Sequence, residues 1–202
     1  IKSFKLIDKM LEAQKQGKIK YIGFSFHDTL PVYKEIVDFF DWDVTQIQYN
    51  YMDTAVQATT EGLKYAAAKG MAIVIMEPVK GGQLANPPKE AQDVMAQSKV
   101  RRSAVDWALQ YLWNLPEVSV VLSGMGSQQM LDENCRSASR SGIGSLRDDD
   151  LHTIEQLVEI YRKKILVPCT SCQYCMKCPS GVNIPQNFAI LNNVSMEKKA
   201  MF

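Results

Sequence analysis

Four cysteines lie within ten residues near the C-terminal end of the sequence. They are Cys169, Cys172, Cys175 and Cys178. Two residues separate each cysteine from the next, and Pro179 follows the last. Thiolates bind soft metals strongly, and gaps of two residues allow successive sulfurs to converge on one side of the chain. A secreted disulfide framework would spread its cysteines along the chain instead, so this spacing indicates a metal site.

The spacing is similar to the bacterial ferredoxin run C-x₂-C-x₂-C-x₃-C-P, whose fourth cysteine binds a second cluster. Here two residues rather than three precede Cys178, and five cysteines in all are too few for two clusters. We therefore expect one [4Fe–4S] cluster with all four cysteines as ligands. If the spacing keeps Cys178 from the iron, either Cys135 or a residue outside these 202 would have to substitute as a ligand. Cys135 itself is expected to be a buried small apolar residue.

Two alternatives to an iron–sulfur cluster stay open. The first is a structural zinc site, although zinc modules usually separate two C-x₂-C pairs by about a dozen residues or more. The second is a redox-active set of disulfides. Residues 1–20 lack the apolar stretch of a signal peptide. Clustered cysteines in a sequence without such a signal indicate a reducing compartment. The sequence therefore predicts a cytoplasmic protein.

The composition excludes several classes of partner. The 202 residues are 46% apolar and 22% charged, as in an ordinary globular protein. The formal net charge of +1 gives no electrostatic basis for binding nucleic acid or a membrane surface. No apolar run approaches the ~18 residues that a membrane-spanning helix needs. A small molecule or another protein is the expected partner.

Helices and strands alternate along the first two thirds of the chain. The segments predicted as strands are residues 19–26, 43–50, 71–76 and 118–124, and amphipathic helices separate them. This alternation predicts an α/β fold with parallel strands and right-handed crossovers. Two architectures fit, part of a (β/α)₈ TIM barrel or a doubly wound open sheet, and the strand spacing favours the barrel.

The character of the chain changes after residue 142. SLRDDDLHTIEQLVEIYRKKI (145–165) predicts one long amphipathic helix with acidic residues in its first turn and basic residues in its last. It leads into the cysteines, and a short helix is predicted near 185–192. We therefore divide the chain into a barrel-like domain, 1–142, and a small α-helical iron–sulfur domain, 143–202.

Four segments of the first domain resemble, in the same order, segments of the aldo-keto reductase family. They are GKIKYIGFSFHD (17–28), TQIQYN (45–50), IVIMEPVKGGQL (73–84) and LSGMGSQQMLDEN (122–134). The cysteine tail is similar to the ferredoxin-type segment of a subgroup of that family. The resemblance implies the C-terminal half of a (β/α)₈ barrel, strands 5–8 with their helices, followed by the iron–sulfur tail.

The resemblance also implies hydride transfer between NAD(P)H and a small-molecule carbonyl substrate. At matching positions, Ser25 and Gln46 would hydrogen-bond the nicotinamide carboxamide. Gly82 would lie near the pyrophosphate, and Glu133 and Asn134 would lie near the adenine.

The chain departs from the family pattern at some of these positions. Phe26 replaces an asparagine that contacts the carboxamide, and Met76 replaces an aromatic residue that stacks on the nicotinamide. The lysine and arginine that bind the 2′-phosphate of NADPH fall on or near Gly124 and Met130, which carry no charge. Cofactor preference between NADH and NADPH is therefore open. The cations nearest along the chain are Arg136 and Arg140.

No catalytic residue is expected in this chain. The family's aspartate, tyrosine, lysine and histidine come from the first four strands, which would precede Ile1, and this suggests a fragment. The leading hypothesis is an aldo-keto reductase-type oxidoreductase that carries one [4Fe–4S] cluster, with a redox partner protein as a further candidate. The alternative is a non-catalytic electron-transfer or structural iron–sulfur module on a degenerate barrel scaffold.

Overall fold

The computed structural model describes residues 5–169 and 173–197. In chain order its elements are α1 (Leu6–Lys15), β1 (Gly23–Phe26), α2 (Leu30–Phe39), β2 (Val44–Gln48), α3 (Thr59–Ala68), β3 (Ala72–Met76), a 3₁₀ turn (Gln83–Ala85), α4 (Lys89–Gln97), α5 (Ala104–Trp113), β4 (Val120–Val121), α6 (Gln128–Ala138), α7 (Asp148–Lys164) and α8 (Ile184–Glu197). No helix among the described residues is long and apolar enough to cross a membrane.

The chain forms two compact units, which we call the sheet unit and the helical unit. The sheet unit comprises residues 1–49, 53–76 and 117–122. The helical unit comprises residues 50–52, 77–116 and 123–202. The sheet unit therefore contains the four strands of the described chain with α1 to α3, and the helical unit contains α4 to α8.

The sheet unit has the strand order β1-β2-β3-β4, and every neighbouring pair is parallel. This confirms the predicted α/β fold with a parallel sheet. One face of the sheet is buried: Thr45, Ile47, Ile73 and Ile75 have no exposed surface. Tyr33 of α2 covers this face, with its ring centroid 4.9 Å from that of Phe26. Side chains alternate along a strand, so intervening residues lie on the other face.

Two strands are shorter than predicted. β1 begins at Gly23 because the N–H of Ile22 donates to the Asp43 carboxylate, at 2.7 Å, instead of to a neighbouring strand. β4 spans only Val120–Val121, although the N–H groups of Ser119 and Leu122 still donate to β3 carbonyls at 2.9 Å. The sequence pattern therefore predicts β1 and β4 to be longer than the segments that pair in the sheet.

Gly23 lies where β1 approaches β2 most closely. A Cβ added at Gly23 would lie 2.2 Å from the Val44 carbonyl oxygen and 2.4 Å from Val44 Cγ1. We expect Gly23→Ala to destabilise the protein by about 1–3 kcal/mol, because the backbone must shift to relieve this overlap. Thermal unfolding followed by circular dichroism measures the effect. Gly126→Ala is the matched control, since a Cβ there meets nothing within 4 Å, and an equal loss in both variants would contradict the prediction.

The helical unit has its own apolar core. It consists of Tyr51, Leu84, Ala91, Met95, Trp107, Ala108, Leu146, Ile154, Leu157 and Tyr161. The long helix predicted at 145–165 is confirmed as α7, with three aspartates in its first turn and three basic residues in its last. α4 was not predicted; it contributes Ala91 and Met95, one helical turn apart, to the core.

Candidate functional site

Ser25 and Gln46 lie side by side on the face of the sheet that helix α2 does not cover. They are partners in the register of β1 with β2. Ser25 is exposed and Gln46 is half-buried. The Gln46 amide donates to the sulfur of Met76 on β3, at 3.5 Å. The structure thus brings together three positions for which the family resemblance implies nicotinamide contacts: one hydroxyl, one amide and one thioether.

A buried polar network that the sequence analysis missed lies at the carboxyl end of β2. The Gln48 amide donates to the Asp53 carboxylate at 3.0 Å, and the Gln57 amide donates to the Gln48 side-chain oxygen at 2.8 Å. Gln48 and Asp53 are almost fully buried. Gln48 lies two residues after Gln46, so the two amides share a face of the strand. This spacing of two residues is the sequence signal that could have predicted Gln48 as a polar residue on the same face as Gln46.

Phe26 and Tyr33 have structural roles in the sheet unit. Phe26, which replaces the family's asparagine, is only 4% exposed. Burial raises the pKa of Tyr33 to about 12, against the weaker opposite effect of its hydrogen bond with Thr45. Burial likewise raises the pKa of Tyr161, in the helical unit, to about 12. A tyrosine that donates a proton in catalysis needs a lowered pKa, so neither tyrosine is tuned for that task.

Gly82 lies in a tight loop of the helical unit. Lys80, Gly81 and Gly82 have backbone φ angles of 52°, 60° and 87°, all in the left-handed region. The N–H of Gly81 donates to the Glu77 carboxylate, and the N–H of Gly82 donates to the Val79 carbonyl at 3.1 Å. A phosphate at this loop would have to compete with Glu77 for the N–H of Gly81.

Glu133 and Asn134 lie on α6 beside a cleft of the helical unit. The cleft has a volume of about 360 Å³, and both residues line it. The Asn134 amide donates to the Ser123 hydroxyl at 2.9 Å, which fixes its orientation. Glu133 is exposed and accepts a hydrogen bond from the Gln129 amide at 2.8 Å. The two predicted adenine contacts are therefore neighbours, and Gly82 belongs to the same unit.

The predicted metal ligands are described in part. Cys172 lies outside the described residues. Cys175 is an exposed free thiol, and Cys178 is a half-buried one. Within residues 5–169 and 173–197, no three histidine, cysteine, aspartate or glutamate side chains converge as a metal-binding group. The iron–sulfur site thus stays a prediction from the spacing of the cysteines.

Two turns include Cys175 and Cys178. The N–H of Met176 donates to the Gln173 carbonyl at 2.9 Å, and the N–H of Gly181 donates to the Cys178 carbonyl at 3.0 Å. Gln173 has a left-handed backbone, with φ of 63°.

The segment that leads into the cysteines is anchored within the helical unit. Asn192 of α8 bonds both backbone groups of Val167: its oxygen accepts from the N–H at 3.0 Å, and its amide donates to the carbonyl at 2.7 Å. The Gln83 amide donates to the Cys169 carbonyl at 3.2 Å. The backbone of Cys169 is therefore hydrogen-bonded to Gln83, the residue that follows Gly82 in the chain.

The predicted burial of Cys135 is wrong, because its side chain is exposed on α6. The buried position of that helix is Ser137. It lies two residues further along, roughly 200° around the helix axis, so the two side chains point in nearly opposite directions.

Comparisons with known proteins agree with this architecture. A model of the aldo/keto reductase family matches residues 2–159. Two solved structures of the aldo-keto reductase AKR11C1 from Bacillus halodurans, a holo form and an apo form, are similar in fold. Each is 22% identical in sequence, with a TM-score of 0.58 over 72% of this chain. No curated protein sequence matches the chain.

The chain spans about half the length of these two structures, 52% of the holo chain and 53% of the apo chain. At 22% identity this likeness shows the fold alone. The family match is the stronger finding, because it covers more than half of the residues and includes all four parallel strands. The chain belongs to the aldo/keto reductase family.

Proposed function

We propose that this chain is part of a nicotinamide-dependent oxidoreductase that interconverts a carbonyl compound and an alcohol and carries one [4Fe–4S] cluster. The observation that carries the first half of the proposal is the family match over residues 2–159. The placement of Ser25 and Gln46 on paired positions of neighbouring strands supports it. The small-molecule carbonyl substrate and a redox partner protein belong to the same proposal.

The bound nicotinamide supplies or accepts a hydride. In this chain, the Ser25 hydroxyl and the Gln46 amide bind and orient the carboxamide of the ring, with Met76 as an apolar support. Orientation matters because hydride transfer depends on holding the reacting atoms in a near-attack geometry. To bind the carboxamide, the Gln46 amide must break its hydrogen bond with the sulfur of Met76. A thioether sulfur is a weak acceptor, so replacing it with a carboxamide oxygen costs little free energy.

The cysteine segment fits an iron–sulfur cluster by the chemistry of its donors. Cys169, Cys172, Cys175 and Cys178 would supply four thiolates, the usual ligand set of a [4Fe–4S] cluster. Metal binding is coupled to the folding of the residues that bind the metal. The absence of a converging ligand group among the described residues is therefore compatible with this assignment. When bound, the cluster supplies one-electron transfer. The anchors at Val167 and Cys169 would hold the cluster-bearing turns on the helical unit.

A second candidate function is a non-catalytic electron-transfer or structural iron–sulfur module. Two observations favour it: the Gln46 amide already has a partner in Met76, and the family's asparagine is replaced by the buried Phe26. The two candidates differ in one property that can be measured, because only the oxidoreductase binds a nicotinamide nucleotide at the sheet.

Nucleotide binding tests the proposal directly. We expect NADPH or NADH to bind, and Ser25→Ala and Gln46→Leu each to weaken binding about three- to tenfold, since a neutral hydrogen bond contributes about 0.5–1.5 kcal/mol. Titration of the nucleotide's fluorescence measures the Kd.

Gln97→Leu is the matched control, because Gln97 is exposed at the end of α4. If neither nucleotide binds the protein as purified, the non-catalytic module is the better description. If both bind and neither substitution changes the Kd, the sheet face is not the nicotinamide site.

A further inference from the structure

Exposed apolar side chains are frequent in the part of the helical unit that follows α7. Six large ones there keep between 43% and 70% of their surface exposed. They are Leu166, Tyr174, Met176, Ile190, Leu191 and Val194, and we call this set the tail surface. Apolar residues scattered singly over a protein are normal, but a group of them marks an interaction site.

Helix α8 turns apolar side chains away from the unit to which it is attached. Asn192 of this helix is only 2% exposed. Ile190 and Val194 lie two residues before and after Asn192, about 200° around the helix axis, so they point away from it. A helix that packs only against its own protein buries its apolar stripe. Because α8 buries a carboxamide and leaves two branched apolar side chains exposed, its outer face is suited to contact with another molecule.

The tail surface lies beside the cysteine segment. Tyr174 and Met176 flank Cys175 in the chain. The two hydrogen bonds between Asn192 and Val167 hold α8 against the backbone two residues before the first of the cysteines. A partner that covered the tail surface would therefore lie close to the cysteines as well.

Positive charge is concentrated in the same part of the chain. Residues 160–196 contain four basic residues and no acidic residue. The basic residues are Arg162, Lys163, Lys164 and Lys177. Lys164 forms an ion pair with Glu90 at 2.8 Å, and the other three, which we call the basic rim, are exposed. The formal net charge of the whole chain is only +1, so the remaining residues carry a net negative charge.

The basic rim adjoins the tail surface. Lys177 lies within the cysteine segment itself. Arg162 and Lys163 belong to the last turn of α7, which contacts α8. They are five and four residues from Val167, and five residues span at most about 18 Å. Exposed cations therefore lie at the border of an apolar surface, as in the polar rim and apolar centre of a protein interface.

The charge of this surface favours one kind of partner. In a symmetric dimer, two copies of the chain would face each other with the same surface, and their basic rims would repel. An acidic protein would instead be attracted by the rim while its apolar atoms covered the tail surface. Encounters between electron-transfer proteins are transient and bury less than about 1,200 Å². A set of six exposed side chains suits an interface of that small class.

We propose that the tail surface and the basic rim form the docking site of an acidic one-electron carrier protein. The docking of an acidic protein follows from the exposure and charge of these residues. The identification of that protein as an electron carrier rests on the proposed function, because it requires the cluster. All residues of the docking site lie outside residues 2–159, over which the family model matches.

Isothermal titration of the whole protein, purified without oxygen, with a flavodoxin of net negative charge tests the site. We expect binding at low salt, with a Kd that rises at least tenfold between about 20 mM and 200 mM salt, because salt screens the charges of the rim. A cytochrome c of net positive charge is the matched probe of opposite charge. It should bind at least tenfold more weakly than the flavodoxin.

Two substitutions address the two parts of the site. Lys163→Glu reverses a charge of the basic rim and should weaken flavodoxin binding at least fivefold. Ile190→Ser removes an apolar side chain from the tail surface and should weaken flavodoxin binding about three- to tenfold. The matched controls are Lys64→Glu, at an exposed lysine of α3, and Leu131→Ser, at an exposed leucine of α6. Both controls should leave the Kd within twofold of the parent value.

Flavodoxin binding no tighter than cytochrome c binding would overturn the proposal, as would equal losses in the controls. Light scattering and sedimentation with vesicles detect the other occupants of such a surface. A dimer that Ile190→Ser converts to a monomer would show that a second copy of the chain covers the tail surface. Binding to phosphatidylglycerol vesicles that both substitutions weaken, without flavodoxin binding, would assign the surface to a membrane.

The iron and sulfide content of the same samples separates this proposal from the proposed function. A protein that contains the cluster but does not bind flavodoxin keeps the function and rejects the docking site. A protein that binds flavodoxin through Lys163 and Ile190 but contains zinc or no metal keeps a docking site for an acidic protein. That result rejects both the electron carrier and the cluster.

Discussion

Cys175→Ser is expected to abolish the visible absorbance of the proposed [4Fe–4S] cluster. A [4Fe–4S] cluster needs four ligands, and this segment offers no fifth cysteine nearby. The protein purified without oxygen should contain about four irons and four acid-labile sulfides per chain, with broad absorbance near ~400 nm that dithionite bleaches. The variant should lose most of the iron and the absorbance. Metal analysis, sulfide analysis and the absorption spectrum measure all three.

Cys135→Ser is the matched control for this experiment. Cys135 is an exposed thiol on α6, outside the cysteine segment, so its loss should leave iron content unchanged. Loss of iron from both variants would instead make Cys135 a ligand in place of Cys178. Zinc without visible colour in the parent protein would contradict the cluster and assign the cysteines to a structural zinc site. A metal-free protein with paired cysteines would contradict both.

The parallel sheet could be predicted from sequence because its strands carry strong local signals. β3 is an apolar run that follows a glycine, and β2 alternates with β-branched residues. The structure places both strands within two residues of the predicted bounds. The sequence does not predict α4, because glycines and prolines, which are typical of loops, precede it. These are Gly81, Gly82, Pro87 and Pro88. Its helix depends on two apolar residues that bury against the core of the helical unit, a tertiary contact that a local pattern does not show.

The candidate sites also differ in how much of each could be predicted from local sequence patterns. The spacing of the four cysteines is a local pattern, so the sequence alone predicts a metal site there. The cleft that Glu133 and Asn134 line could be predicted only in part. Glu133 and Arg136 are three residues apart and share a face of α6, and Arg140 follows the end of that helix. Their partner Arg101 is distant in sequence, and nothing local indicates that the residues before α5 lie beside α6. The buried pair of Gln48 and Asp53 was missed for a related reason, since its partners meet across a turn.

The ion pair between Arg102 and Asp150 connects the start of α7 to the wall of the cleft that Glu133 and Asn134 line. Asp150 is 2% exposed, and its carboxylate accepts from Arg102 at 2.7 Å and from the N–H of Arg147 at 3.1 Å. We expect Asp150→Ala to destabilise the protein by about 3–5 kcal/mol at neutral pH, because it leaves a half-buried guanidinium without its partner. Urea unfolding measures the change. Asp149→Ala is the control, since Asp149 forms an exposed pair with Lys99.

The pH dependence of this loss distinguishes a charge effect from a packing effect. Burial opposes ionisation of Asp150, but the hydrogen bonds from Arg102 and Arg147 outweigh burial and hold its pKa below the ordinary value of 3.8. The contribution of the pair is therefore complete above the ordinary pKa and is lost as the pH falls through the lower pKa of the folded state. The difference in stability between parent and Asp150→Ala should be constant from neutral pH down to about pH 5 and should shrink below about pH 4. Comparing the two proteins at each pH cancels any acid sensitivity that they share. A difference that stays constant into the acid range would mean that Asp150 stabilises the cleft wall by its shape and not by its charge.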